Sequence, residues 1–294
     1  MNSKAEEHYL ARFRKVFVYV DEHLDGELSV ERLGEVAGFS KFHFHRQFTE
    51  LFGISVYSYI QLCRLKRASY QLAFREGRKV LDIAMASGYE GPEAFSRAFR
   101  KSMGQSPSEF RREPQWAPWL EKYEPLGALR QKFMSPTFHT GQVKIIEFPE
   151  TRVAVFEHRG DPQRLGESIR RFIDWRKRCQ LSPRDSATFN ILYDNPADTD
   201  PAKFRLDLCV SIRRQVATND CGIVEKTIPG GRCAVLRHVG ADDNLGLVLS
   251  YLYKQWLPQS GEEPRDFPPY IQRVSFFPDV PEHASVVDAF LPLS

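Results

Sequence analysis

The sequence lacks any apolar run near the roughly 18 residues that a membrane span needs, which argues against a helical membrane protein. Its first residues, MNSKAEEHYLARFRK, are polar and charged, without the apolar segment of a secretory signal, so a cytoplasmic protein is expected. Cysteine is sparse: Cys63, Cys179, Cys209, Cys221 and Cys233 are odd in number and never spaced as CxxC. Unpaired thiols in a reducing compartment follow, rather than a disulfide framework or a zinc site. HExxH, a phosphate loop and a Ser-His-Asp spacing are also missing, so no catalytic residue, metal or cofactor is expected and the protein reads as a non-enzyme.

Net charge is only +3 over 294 residues, but it is unevenly placed. Residues 41–112 carry 13 Lys and Arg against 6 Asp and Glu, whereas residues 116–294 carry 23 of each sign. A basic segment beside a neutral one suits a phosphate-binding domain joined to a domain with another task. The length allows two domains, each with its own core.

Each part of the chain contains a repeat. In the first, LGEVAGFSKFHFHRQFTELFGIS (33–55) resembles IAMASGYEGPEAFSRAFRKSMGQS (83–106). Gly38 and Phe39 match Gly88 and Tyr89. After one inserted residue, Phe44, Arg46, Phe48, Gly53 and Ser55 match Phe95, Arg97, Phe99, Gly104 and Ser106. Each copy reads as helix, tight Gly turn, helix. Ser29 and Ser40 are N-cap candidates, Gly38 suits a left-handed helix end, and Pro92 fits a first helical position. Phe44 and Phe48, like Phe95 and Phe99, recur at helical spacing and should face a core. The opposite faces carry Phe42, His45, Arg46 and Thr49 in one copy, and Glu93, Ser96, Arg97 and Arg100 in the other. Residues 55–76 contain neither Pro nor an internal Gly and predict one linking helix of roughly 30 Å. That approximates one turn of B-DNA, about 34 Å, so the two outer helices could enter successive major grooves. Ser106 and Glu109 predict a capping box for a last short helix.

Residues 115–140 are interrupted by Pro118, Pro125 and Pro136 and read as a partly packed linker. Beyond it, 148–175 aligns without gaps to 228–255. Pro149, Arg152, Ala154, Val155, His158, Gly160, Leu165 and Gly166 recur as Pro229, Arg232, Ala234, Val235, His238, Gly240, Leu245 and Gly246. Each half gives an apolar strand, a Gly turn, an amphipathic helix and two more strands. The expected fold is therefore multidomain: an all-α N-terminal domain with two helix-turn-helix units, then an α+β domain made of a duplicated strand-helix-strand-strand module. The cleft between the duplicated halves is the natural pocket. His158 and His238 follow equivalent strands, so a structural role in the turn is expected of both rather than acid-base chemistry.

The motif GFSKFHFHRQFTELFGIS, the stretch RLKRASYQL and the segment VLDIAMASGYEGPEAFSRAFRKSMGQSPSEFRR together resemble the AraC/XylS DNA-binding domain across residues 8–112. The resemblance implies seven helices and transcriptional control at an asymmetric site on double-stranded DNA, with RNA polymerase as a partner. It carries base-reading positions to Phe42, His45 and Arg46, and to Pro92, Glu93, Ser96 and Arg97. Thr49 and Arg100 share those faces. Residues 142–294 resemble GyrI-like effector-binding domains through TRVAVFEHRGD, LYDNPADTDPAKFRLDLCVSI, GGRCAVLRHVG and DAFLPL. The combined arrangement is similar to Rob-type regulators and implies a small-molecule effector. Relatives hold cationic compounds with aromatic walls and a buried Glu, but here that position falls on Gln272 and the usual following Tyr on Val274. An amide supplies no counter-charge for a buried cation. Trp175, Tyr193, Trp256, Tyr270 and Phe276 are the candidate wall residues.

The expected organisation is thus a DNA-binding domain at 1–114, a linker at 115–140 and an effector-binding domain at 141–294. Two other readings of the second domain stand beside it: binding of a protein rather than a metabolite, and a hydrolase-type activity. Gln272 could serve neither as acid nor as base in the latter.

Overall fold

The computed structural model describes residues 3–294, so the first two residues of the expected N-terminal domain lie outside the described residues. The chain divides into two compact units, Met1–Ser135 with Pro281–His283, and Pro136–Val280 with Ala284–Ser294.

The first unit is helical: α1 (Ser3–Glu22), α2 (Val30–Ala37), α3 (Lys41–Phe52), α4 (Val56–Phe74), α5 (Val80–Ala86), α6 (Pro92–Met103), α7 (Pro107–Arg112) and α8 (Trp116–Met134). Ser29, Ser40 and Ser55 cap α2, α3 and α4 by accepting the amides of Arg32, His43 and Ser58. The capping box at Ser106 and Glu109 is present. The amide-deficient Pro92 opens α6 behind Gly91, which has no side chain to cap with. At 19 residues α4 spans about 28 Å.

Two aromatic clusters fill this unit. Phe13 and Phe17 of α1 meet Phe44, Phe48 and Phe52 of α3, and Phe17 meets Tyr59 of α4. Phe95, Phe99 and Phe110 pack in series, and Phe110 meets Trp116. Edge-to-face packing recurs, as ring quadrupoles favour.

Residues expected to form a linker instead build α8, with Trp116, Trp119, Tyr123, Leu126, Arg130 and Phe133 buried. Their spacing of three and four is helical. Pro118 sits in the first turn, where an amide has no partner to lose, and only Pro125 interrupts the interior. Trp116 stacks on Phe74 and Phe133 stands edge-on to Phe52, so α8 touches both clusters. Between them Arg130 donates to both carboxylate oxygens of Asp21, at 3.0 and 2.5 Å, and to Tyr59 Oη at 2.7 Å.

The second unit is an eight-stranded antiparallel sheet of order β1-β6-β8-β7-β3-β4-β2-β5. Its strands are β1 (Val143–Phe148), β2 (Thr151–Arg159), β3 (Thr188–Leu192), β4 (Arg205–Ser211), β5 (Ile223–Ile228), β6 (Gly231–Val239), β7 (Tyr270–Arg273) and β8 (Val286–Pro292). Helix α9 (Leu165–Arg178) lies in one half; α10 (Leu245–Tyr251), a π turn at Leu252–Trp256 and α11 (Leu257–Ser260) lie in the other. The order is symmetric about the β3–β7 pairing, where Phe189 faces Gln272 and Ile191 faces Tyr270. Each half also carries a leading strand that the repeat alone did not reveal. These strands are exchanged: β1 pairs with β6, and β5 with β2.

Strand alternation splits the core. Ala154, Phe156, Leu208 and Val210 pack with Phe172 and Trp175 of α9. Ala234, Leu236, Ile271 and Ala289 pack with Val248 and Tyr251 of α10 and with Trp256. The opposite face gathers Phe148, Phe189, Tyr270 and Phe290. Phe148 sits on the edge strand yet reaches Tyr270 at 5.3 Å, so that face is strongly concave and filled by side chains.

Burial alone would drive the Asp21 carboxyl towards its neutral form, but the Arg130 guanidinium beside it holds its pKa below the ordinary value. Replacing Arg130 with Met leaves that charge, among the described residues, with only His283, 3.6 Å away, and removal of one partner of a buried pair costs about 3–5 kcal/mol. Thermal melting should place Arg130→Met far below wild type, with Asp21→Asn/Arg130→Met recovering part of the loss. An unchanged melting temperature for Arg130→Met would show that the pair carries no structural weight.

Candidate nucleic-acid interface and effector cavity

In each helix-turn-helix unit the turn is held by an arginine from an earlier helix. Arg12 of α1 donates from Nε to Ala37 O at 2.6 Å and also contacts Gly38 O, while its guanidinium lies 3.4 Å over the Phe39 ring. In the second unit Arg67 of α4 does this work, and Arg64 of the same helix packs against the turn glycine. Arg67 donates to Ala86 O, and Arg64 sits against Gly88 while donating to Leu24 O and Gly26 O at 2.9 and 2.7 Å. Arg12 and Arg67 thereby satisfy carbonyls that the C-termini of α2 and α5 leave open. Gly38 and Gly88 adopt φ of 66° and 72°, a conformation that costs an L-residue roughly 1–2 kcal/mol.

The turns fix which faces of α3 and α6 are free. Phe44, Phe48, Phe95 and Phe99 point inward and are fully buried. Phe42 is 81% exposed, an unusual cost for so large an apolar ring, and His45 and Arg46 beside it are exposed. On α6, Glu93, Arg97 and Arg100 are exposed, with Pro92 and Ser96 half-buried. Among the described residues the Arg46 and Arg97 guanidinium groups have no ion-pair or hydrogen-bond partner. Arg100 differs, because it pairs with Glu109 at 3.2 Å. Thr49 Oγ1 donates to His45 O at 3.1 Å, which uses its proton within the helix.

The candidate effector residues are dispersed. Trp175 and Trp256 pack on the helix-bearing face, in separate clusters. Tyr270 is buried on the concave face, and Gln272, half-buried, points the same way by alternation. Tyr193 donates to Asp207 at 3.0 Å, and Phe276 lies in the loop after β7. Opposite faces of one sheet cannot wall one cavity, so these six do not form a single lining. Asp288 stands across from Gln272, but Arg237 holds both its oxygens at 2.7 Å.

Asp207, fully buried on β4, was not anticipated. It accepts from Arg159 at 2.9 Å and from Lys226 at 2.7 Å as well as from Tyr193. A lone Asp in an alternating strand gives no signal of this, because its cations come from β2 and β5. His158 Nδ1 lies 2.8 Å from Ser168 Oγ, and His238 Nε2 lies 3.1 Å from Ala241 O. Both rings are buried, and burial holds the His158 pKa below its usual value. The His238 ring ties its strand to the turn that follows, whereas the His158 ring ties its strand to α9.

A cavity of about 1040 Å³ opens beyond the C-terminal end of α9, against the loop after β4, and Trp175 is the one candidate residue on its wall.

Paired helix-turn-helix units with outward second helices, in one chain with a duplicated α+β unit, define the class of two-domain DNA-binding regulators. Residues 33–113 match a helix-turn-helix domain and residues 141–294 match the GyrI-like small molecule binding domain. The chain belongs to the GyrI-like family, with an AraC-type helix-turn-helix domain ahead of it. It is 38% identical over 156 residues to probable transcriptional regulator YgiV of Escherichia coli K12, covering 53% of this chain and 98% of that one. It is 33% identical over 96 residues to regulatory protein SoxS of the same organism, covering 33% of this chain and 89% of SoxS. The right origin-binding protein of E. coli K12 is 34% identical over 104 residues, covering 35% of this chain and 36% of that protein.

Adding a Cβ at Gly88 would bring it 2.5 Å from the Arg64 guanidinium, whereas at Gly38 the nearest atom, Arg12 Nη2, is 3.0 Å away. Both alanine variants meet the left-handed penalty of roughly 1–2 kcal/mol; Gly88→Ala must also dislodge Arg64 from two carbonyls. Gly88→Ala should therefore melt lower than Gly38→Ala. The reverse order would mean that Arg64 is not a fixed part of the turn.

Proposed function

We propose that this protein is a sequence-specific transcriptional regulator that reads duplex DNA with α3 and α6, its affinity set by a small molecule bound to the second unit. The observation that carries this reading is the pair Arg46 and Arg97: equivalent in the repeat, exposed, and without a hydrogen-bond or ion-pair partner among the described residues. A free guanidinium on a groove-facing helix is poised for the bidentate contact to guanine. Phe42, His45, Pro92, Glu93 and Ser96 surround these arginines as further base-contacting candidates, with Thr49 and Arg100 placed for backbone contact. Phe42 suits apolar contact with a thymine methyl, which would also account for its exposure.

The name of the GyrI-like family and the regulators matched on both sides of the chain support an effector-controlled switch. Bound DNA alters transcription only if RNA polymerase is helped or blocked, so polymerase is the implied partner and the cytoplasm the implied compartment. No helix among the described residues is long and apolar enough to cross a membrane. We further propose that the effector is not a lipophilic cation. Gln272 carries no charge, and Arg237 already neutralises the facing Asp288.

Arg46→Ala and Arg97→Ala should each relax base preference in one half of the operator, losing about 1–3 kcal/mol of discrimination there. Selection of bound sequences from a random pool, repeated with each variant, reads this directly. Affinity should also fall steeply with salt as phosphate counterions are released. Unchanged preferences in both variants would sink the assignment of α3 and α6.

A further inference from the structure

The second unit contains fifteen arginines, and most are occupied. Arg152, Arg159, Arg164, Arg205, Arg232, Arg237 and Arg273 form ion pairs. Arg176, Arg178 and Arg265 donate to neutral groups, and Arg171 lies over the Phe156 ring. Against this background, the Arg184, Arg213 and Arg214 guanidinium groups have no ion-pair or hydrogen-bond partner among the described residues. All three line the cavity of about 1040 Å³ beyond α9, and the one acid on its wall is Asp185.

The rest of that wall is part apolar. Trp175, Leu181, Ile212 and Val216 line it, and the last three pack against the α9 core cluster. Behind it stands Arg176, 7% exposed, which donates to Leu181 O, Thr188 Oγ1 and Ser186 O. With no carboxylate beside it, burial pushes its pKa down to about 10, so it remains a cation at neutral pH. It pins the segment 181–188 that forms one side of the cavity. The helix dipole works the other way, since a C-terminus carries about half a negative charge. Here, however, the amides of Cys179, Gln180 and Leu181 take up the carbonyls of Trp175, Lys177 and Arg176. Three unpaired guanidinium groups against one carboxylate outweigh what is left of that half charge.

We propose that this cavity is an effector site for an amphipathic carboxylate, its apolar body against Trp175 and Ile212 and its carboxylate among Arg184, Arg213 and Arg214. The proposal rests on reading the second unit as the effector domain, and it moves the site away from the axis between the duplicated halves. A charge-assisted hydrogen bond is worth roughly tenfold or more in affinity.

Calorimetric titration of the full chain with 1-naphthoate, decanoate and the neutral 1-naphthamide tests this. At least one carboxylate should bind, and naphthoate should bind about tenfold or more tightly than the amide. Arg213→Ala/Arg214→Ala should abolish that preference while leaving amide binding as it was. The carboxylate-amide comparison needs no variant, so it decides even if the double variant folds poorly. Failure of both carboxylates to bind, or equal binding of amide and naphthoate, overturns the proposal. Measuring operator affinity of the same wild-type sample with and without naphthoate keeps the two readings apart. Normal DNA binding with no naphthoate uptake overturns the site and spares the regulator, whereas naphthoate uptake without any DNA binding upholds the site and removes the regulator.

Discussion

The helical unit depends on one buried guanidinium. Arg130 arrives from α8 and is met by Asp21 at the end of α1 and Tyr59 in α4, so a single planar donor fork ties three helices at a point sealed from water. In so dry a place an unpaired charge is intolerable, and a mispositioned α8 would leave one behind on each side. The pair therefore specifies position more than it adds stability. It fixes α8 across two aromatic clusters, and those clusters fix α3 and α6.

Arginine does two opposed jobs in this unit. Arg12 and Arg67 are spent on backbone carbonyls at the turns, which rigidifies the approach of each second helix, and Arg64 packs against Gly88 while donating to the connection between α1 and α2. Arg46 and Arg97 are left without partners among the described residues, on the surfaces so presented. A basic excess read from composition cannot separate these roles. The separation matters for function, because only the free groups have donors to offer a base edge.

The second unit shows what duplication preserves and what it releases. His158 and His238, the strand pairings and the two helices all follow the repeat. Divergence appears in the charges. Glu157 in one half is Arg237 in the other, so β4 holds Asp207 among added cations whereas β8 holds Asp288 against Arg237 directly. The loop 213–222 connects the halves, and a connector occurs once. The cavity it covers therefore has no counterpart to be predicted from the symmetry.

Periodicity, caps and repeats determined much of this protein without coordinates. The two helix-turn-helix units, the linking helix α4, the inward phenylalanines and the symmetric sheet all rest on short-range rules of spacing and turn chemistry. What the sequence obscured has a common physical cause, which is that the deciding partner is distant along the chain. Helix α8 was hidden because its prolines look like breaks unless one knows that Pro118 lies in the first turn and that buried rings wait for Trp116 and Phe133. The leading strands β1 and β5 were hidden because each pairs with the other half. The candidate wall residues were scattered because alternation sends Tyr270 and Ile271 to opposite faces of the sheet, and only the register shows which face holds the helices. Local sequence sets which elements form; the burial of charge and the closing of a curved sheet decide which side chains meet.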